Sequence, residues 1–509
     1  MIDKNSLKNF NCLRDQYLYT SSIAHMKKLV YTLFLSLVLS TLFAQTYEDN
    51  WQSLNQRKIP AWFQQDKFGI FIHWGLYAVP SYAPVIPNSG YSYAEWYWYR
   101  LQEKQKDFLA FHNKNYGEDF AYQQFEPMFK AEMFDPAQWA DVFKRSGAKY
   151  VVLTSKHHEG YCLWNNAEAD RDWGRPWNAV TGTPHRDLLG DLTNAVRNEG
   201  LKMGYYYSLY EWFNPLWQTD KKKFVSEHMI PQFKDLVTKY KPSIIFSDGE
   251  WELSDTAWQS TKLLAWLFND SPVKDEVVIN DRWGSNTRGK NTGCTYTTSE
   301  YGSGMNADVV WEESQGIGHS YGYNRNEQLD DYKSSHDLIL MLCDIVSRGG
   351  NLLLDIGPTA DGRIPVIMQQ RLIDMGDWLT LYGDAIYGTQ AYNQSYQWSN
   401  GIKPGKKDKS YMAGYSIAKM TAPKKDSAFV ECFFTKKGNN LYCILPFYQS
   451  KFTLKNLKLP ASAKATIPGA KNTCSWKQKG NDVELDLSAI TANDISKQGI
   501  FAIRIANAL

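Results

Sequence analysis

The sequence predicts an α/β chain: a (β/α)8-like barrel of the TIM type, followed by a C-terminal all-β sandwich. Three observations predict it. From about residue 60 to 390, short apolar runs alternate with amphipathic stretches, the pattern of parallel strands joined by helical crossovers. Polar residues gather where those runs end, as they do at the mouth of a barrel enzyme. After Gly388 the helical periodicity stops and short strand-like runs separated by turn residues take over.

The elements follow in order. Strand-like runs are KFGIFIHWG (67–75), AKYVVLTSKHH (148–158), LKMGYYYSL (201–209), SIIFSDGEW (243–251), EVVINDRWG (276–284), CTYTTSEYG (294–302) and NLLLDIGP (351–358). Helix-like stretches lie between them. Gln138 to Ser146 stops at Gly147, Arg186 to Glu199 at Gly200, Phe224 to Lys239 before Pro242, and His336 to Arg348 at Gly349. Glycine just past a helix is the usual stop, because it accepts the left-handed conformation there. Seven or eight such units favour a closed barrel over an open sheet. The loop GIKPGKKDK (401–409) and the runs AFVECFFTK, NNLYCILPF, KFTLKNLKLP, DVELDLS and GIFAIRIA then read as a sandwich packed against the barrel. The expected organisation is 1–44 extension and signal, 45–390 barrel, 391–509 sandwich.

Composition narrows the function classes. The chain has 509 residues, with 56 basic and 54 acidic side chains and a net charge of +2. That balance offers no electrostatic grip for nucleic acid or an anionic membrane. Hydrophobic residues make up 43% of the chain, which excludes wholesale disorder. Aromatic residues reach 15%. Their flat faces suit either a heavily aromatic core or the grip of a sugar ring.

From Met26 the chain reads MKKLVYTLFLSLVLSTLFAQ. A basic start, an apolar stretch and a small residue at Ala44 are the order of a cleavable secretory signal. The expectation is that Met26 is the true start, cleavage follows Ala44, and the protein is exported to the periplasm or beyond. No membrane span is expected once the signal is removed. Cys12 precedes the signal. Cys162, Cys294, Cys343, Cys432, Cys443 and Cys474 are widely spaced with no CxxC pair, so free, buried thiols are expected.

The chemistry sits at the strand ends: His73, His157, His158, Tyr207, Asp248, Arg282 and Glu300. A carboxylate ending the apolar run SIIFSD is costly unless it faces a polar cavity or a partner. Two carboxylates at one barrel mouth are what glycoside hydrolysis needs, one to attack or activate and one to protonate the leaving oxygen. A helix cap or an ion pair is the other reading of any one of them. The histidines occur as HW and HH, with neither HxH nor HExxH, so no metal site is expected. Imidazoles that both donate and accept suit sugar hydroxyls. Glu95 and Trp96 add an acceptor and an aromatic face, and Arg282 a fixed cationic fork.

The runs FGIFIHWGLYAVPSYAP, YAEWYWYR, FDPAQWADVFKRSGAKYVVLTSKHHEGYCLW, RDLLGDL, VINDRWG, GIGHSYGYNRNE and SRGGNLLLDIGPTADGRIP resemble the α-L-fucosidases of glycoside hydrolase family 29, over about residues 50–509. The resemblance implies a retaining, exo-acting α-L-fucosidase that removes terminal α-L-fucosyl residues from glycans through a covalent glycosyl-enzyme. It implies no metal, no organic cofactor, and a fucosylated glycan as partner. Asp248 is the implied nucleophile. His73, Glu95, Trp96, His157, His158, Tyr207, Arg282 and Tyr321 are the implied sugar contacts, with Tyr321 toward the methyl group. The stretch from Pro80 to Tyr93 is expected to shape access. Five carboxylates compete as acid/base: Glu250, Glu252, Glu300, Glu312 and Glu313. The TxEY-like setting of Glu300 favours it. Two other readings stay open: a sugar-binding protein without turnover, and a glycosidase for a related sugar such as L-galactose.

Overall fold

Eight parallel strands close on themselves in the order in which they occur along the chain. They are β1 Phe68–Ile72, β2 Tyr150–Lys156, β3 Lys202–Ser208, β4 Ile244–Asp248, β5 Val278–Asn280, β6 Thr295–Glu300, β7 Trp311–Gly316 and β8 Asn351–Ile356. The ring is sealed where β1 pairs with β8, Phe71 lying opposite Asp355. This computed structural model describes residues 46–85, 93–300, 305–401, 417–423, 425–470 and 474–509. The signal segment, Met26, Cys12, the access stretch 86–92 and most of the 401–409 loop lie outside the described residues.

Strand β7 was not among the expected runs. Its sequence WEESQG is polar by composition, yet every residue is buried, because it spans a barrel whose two faces are both covered. The helix expected from Phe224 begins instead with a π-helical turn, Phe224–Met229, before the α-helix Ile230–Tyr240.

Alternation along each strand decides what points inward. The barrel interior is packed by Phe71, Tyr150, Val152, Tyr206, Ile244, Phe246, Val278, Tyr296 and Leu353. Phe63, on the helix Ala61–Asp66, plugs the lower end with its ring 4.6 Å from that of Tyr296. Gly69 makes room there: a Cβ at that position would lie 2.1 Å from the Tyr150 ring. Counting on in twos from the apolar layer reaches the polar mouth, from Ile244 through Phe246 to Asp248, and from Tyr296 through Thr298 to Glu300.

Beyond the helix Val366–Tyr382 the sheets turn antiparallel. A five-stranded sheet runs β13-β16-β11-β10-β9 and a three-stranded sheet β12-β15-β14. Their strands are β9 Gln390–Trp398, β10 Val430–Lys437, β11 Asn440–Leu445, β12 Lys451–Leu454, β13 Lys464–Thr466, β14 Ser475–Lys479, β15 Asp482–Asp486 and β16 Phe501–Ala506. These sheets dock on the barrel's last two helices. Tyr396 donates to Asp344 at 2.6 Å and Trp378 Nε1 to the Ile500 carbonyl at 3.0 Å. Asp49 to Leu509 forms one compact unit. The six cysteines from Cys162 to Cys474 are free and buried.

Candidate active site

A cavity of about 280 Å³ opens at the C-terminal ends of the barrel strands. His73, Glu95, Trp96, His157, His158, Asp248, Arg282, Glu300 and Tyr321 all line it, so nine of the expected site residues share one pocket. Phe71 and Phe246 form its apolar floor, and Tyr93, Tyr206 and Trp251 complete the wall.

Asp248 ends β4, and Gly249 follows at φ +70, a turn that would strain any other residue. One Asp248 oxygen accepts from Arg282 Nη1 at 2.8 Å and the other from the Tyr206 hydroxyl at 2.9 Å. His158 Nε2 stands 3.5 Å from the second oxygen. Burial opposes its ionisation, but the charge of Arg282, helped by that of Arg288, outweighs burial and holds the carboxyl well below the usual carboxylate range. The other amino nitrogen of Arg282, Nη2, donates to Glu300, and its Nε donates to Thr298 at 3.0 Å. One planar fork thus holds both carboxyl groups, which Lys could not do in this geometry. The guanidinium itself lies over the Phe246 ring.

The adjacent histidines both face the mouth because β2 has ended at Lys156. Ser208 Oγ donates to the Tyr210 carbonyl at 2.5 Å, so its contact with His158 Nδ1 at 2.6 Å must receive the imidazole proton. His158 therefore offers Nε2 as an acceptor. Burial, and then His157, push its pKa well down, so the ring is neutral. His157 stacks on Tyr206, centroids 5.5 Å apart. Glu95 accepts from the Gly322 amide at 2.9 Å and Ser320 Oγ at 3.2 Å, which ties the first strand's loop to that of the seventh. Burial raises its pKa. Tyr321 stacks on His73 with centroids 4.9 Å apart.

Tyr207 is a correction. Its hydroxyl donates to Gln232 at 2.9 Å and to the Met229 carbonyl at 3.1 Å, on the outside of the barrel. Tyr206 takes the inward place. In GYYYS three tyrosines run together, and alternation puts only one of the last two into the mouth. The inward phase shared by Gly204, Tyr206 and Ser208 was the available signal. The π-helical turn at Phe224–Met229 supplies the carbonyl that receives Tyr207.

The remaining carboxylates are placed elsewhere. Glu250 is buried against Arg288 at 2.6 Å, and Glu252 is exposed beside Lys221. Glu313 is buried and accepts from Gln315 at 2.7 Å. Glu312 points into the barrel below the pocket, where Tyr150 donates to it at 2.5 Å. Burial pushes the Glu312 carboxyl up to about 7. Of the five, only Glu300 lines the pocket with Asp248.

Sequence reasoning also missed a buried hub behind the histidines. Glu211 accepts from Lys156 at 2.7 Å, His228 Nε2 at 2.8 Å and Asn214 at 2.7 Å. Nδ1 of His228 meets Asp172 at 2.7 Å. The charges of His228 and Lys156 overcome burial and hold Glu211 well below the carboxylate range. Trp212, next along the chain, donates its amide to the His158 carbonyl at 2.9 Å.

A family model described as Alpha-L-fucosidase matches residues 35–384. The chain belongs to the α-L-fucosidase family, whose members are glycoside hydrolases. It is 43% identical to the alpha-L-fucosidase of Dictyostelium discoideum over 376 residues, covering 72% of this chain and 79% of that one. The tissue alpha-L-fucosidase of Homo sapiens is 39% identical over 462 residues, covering 88% and 90%. Among solved structures, the Thermotoga maritima alpha-fucosidase in complex with a mechanism based inhibitor superposes with a TM-score of 0.72. That pair shares 32% identity and covers 90% of this chain and 100% of that one.

Proposed function

We propose that the protein carries out the hydrolysis its family is named for as an exo-acting, retaining enzyme, removing terminal α-L-fucosyl residues from glycans. The observation that carries this reading is the Arg282 fork, with Asp248 on one amino nitrogen and Glu300 on the other. Carboxylates gripped by one guanidinium favour the short separation of retaining enzymes, about 5–5.5 Å, over the roughly 6.5–9.5 Å of inverting ones. A small cavity with an aromatic floor suits one terminal sugar, which supports exo-action.

In this mechanism Asp248, kept ionised, attacks the anomeric carbon as the glycosidic C–O bond breaks. Glu300 passes its proton to the departing oxygen. A water then attacks the same carbon, Glu300 takes its proton, and the Asp248 carboxylate is released. Two inversions leave the product with the starting α configuration. His158 accepts from a sugar hydroxyl through Nε2, and Tyr206 holds the nucleophile's second oxygen.

The test is hydrolysis of an aryl α-L-fucoside followed by proton NMR. α-L-Fucose should appear first, and β-L-fucose as first product refutes retention. Asp248→Ala should lose turnover and, with azide, yield β-fucosyl azide. Glu300→Ala should yield the α-azide and act far more slowly on natural glycans than on aryl fucosides. If Glu300→Ala retains full activity on a natural glycan, its role is wrong. We also propose export, on the basic start and apolar run at Met26. Mass analysis from the native host should find a chain beginning near Gln45, and an intact N-terminus in the cytoplasm would refute it.

A further inference from the structure

We infer that Asp355 is a positioning residue: its carboxyl carries a proton, donates it to His73 Nδ1, and so presents His73 to the bound sugar as an Nε2–H donor. The inference rests on the reading of His73 as a sugar contact, and it assigns a role to a residue that touches no substrate.

The geometry begins with a short contact. His73 Nδ1 and an Asp355 carboxyl oxygen are 2.6 Å apart, both side chains buried. Asp355 is the fifth residue of β8 and lies opposite Phe71, two residues before His73. Between such partners the proton can sit in three ways. An ion pair would bury a full cation on His73, beside the imidazoles of His157 and His158, and a full anion on Asp355, with Asp248 the further charge that favours the cation. A neutral imidazole donating to a carboxylate would leave a buried anion facing the carboxyls of Glu95 and Glu327. Among the described residues no lysine or arginine lies within ion-pair distance of Asp355, and its Oδ2 has no hydrogen-bond partner. Besides that Nδ1–H, the nearby His73 backbone amide is the group that favours the anion. A buried carboxylate so poorly compensated neutralises instead. The third arrangement, a carboxylic acid donating to a neutral imidazole, leaves no buried charge. The directions agree: burial first, then Glu95 and Glu327, push Asp355 well up, and burial first, then His157, pushes His73 well down.

The consequence is a matched pair of imidazoles. His158 is fixed by Ser208 as an acceptor at Nε2, whereas His73 is fixed by Asp355 as a donor at Nε2. A sugar hydroxyl has one proton to give and lone pairs to receive with, so neighbouring hydroxyls meet opposite partners in one pocket. An imidazole in the wrong tautomer would meet the sugar with a missing or clashing proton.

Two measurements on the free protein test this directly. In 15N NMR of histidine-labelled protein, with His73 assigned by comparison with His73→Gln, Nε2 should be protonated and Nδ1 bare near neutral pH. A protonated Nδ1 would overturn the inference, with Nε2 bare or not. Infrared difference spectra of wild type against Asp355→Asn should show a carboxylic-acid carbonyl band in the wild type. Its absence overturns the inference equally. In turnover, Asp355→Ala should lower kcat/KM roughly tenfold to a hundredfold. Asp355→Asn, whose amide can donate to Nδ1, should restore most of that loss. An Asn variant as poor as Ala would refute the donor role. Because both spectroscopic readouts need no substrate, an inactive wild-type enzyme would sink the fucosidase reading while leaving the tautomer measured.

Discussion

Glu312 lies inside the barrel beneath the strand-end pocket, and replacing it with Gln tests how the core accommodates a carboxyl. Burial raises its pKa from 4.5 to about 7, with Tyr150 and Tyr296 opposing that rise. Between those two pH values the folded protein holds a proton that the unfolded chain has released. The folded state therefore binds more protons, and stability falls as pH rises through this window. A shift of about 2.5 units at about 1.36 kcal/mol each makes the loss about 3 kcal/mol, complete above pH ~7. Gln keeps an oxygen for the Tyr150 hydroxyl and cannot ionise. Glu312→Gln should therefore match wild type near pH 4 and exceed it by up to about 3 kcal/mol at pH 8. Urea denaturation of both proteins at several pH values reads the difference from the midpoints. A gap that stays constant with pH, or that shrinks as pH rises, would refute the reasoning.

Four further outcomes follow from contacts already described. Tyr206→Phe removes a hydrogen bond to Asp248 and, if Asp248 is the nucleophile we propose, should lower kcat by about tenfold or more, at about 1.4 kcal/mol per decade. Tyr207→Phe should leave kcat near wild type and cost about 1 kcal/mol of stability; the reverse ranking in steady-state assays would undo the strand phase assigned to β3. Glu211→Gln leaves Lys156 and His228 short of their anion in a buried site, so it should lower stability by about 3–5 kcal/mol, read by thermal unfolding at neutral pH. Gly69→Ala forces a methyl into the Tyr150 ring and should cost about 1–3 kcal/mol or more, with a midpoint equal to wild type showing that the core relaxes.

Much of this architecture was legible in the sequence because apolar runs that each close on a polar residue rarely recur in one chain unless their ends meet at a common mouth. Seven of the eight barrel strands stand out as runs, and six of them close on a polar residue. The eighth, β7, does not, because WEESQG has the composition of an exposed turn and is buried only by its neighbours. In the C-terminal sheets, β9, β13 and β14 escape for the same reason: QAYNQSYQW, KAT and SWKQK carry little apolar signal. The pocket was readable at His73, His157, His158, Asp248, Arg282 and Glu300 because each closes a strand. Tyr206 was not separated from Tyr207 because three consecutive tyrosines carry no contrast of their own, and only the small residues Gly204 and Ser208 mark the inward phase. Asp355 was passed over in NLLLDIGP because its importance lies in a partner 282 residues away in sequence. The Glu211 hub was equally hidden, since its four charged members are brought together only by the fold.

That hub has a bearing on how the molecule opens. Lys156, Asp172, Glu211 and His228 belong to the second and third strand-helix units; Lys156 and His228 are buried against Glu211, and half-buried Asp172 closes the set on His228. Separating any one of these segments exposes the rest of the set without its counter-charges, so the region should open as a single cooperative block. The His157–His158 stretch hangs from the end of that block. Amide protons of β2, β3 and the Phe224–Met229 turn should then exchange with solvent at one common free energy, in step with loss of the pocket's histidine wall. The rest of the barrel need not unfold for the enzyme to lose its grip on a sugar.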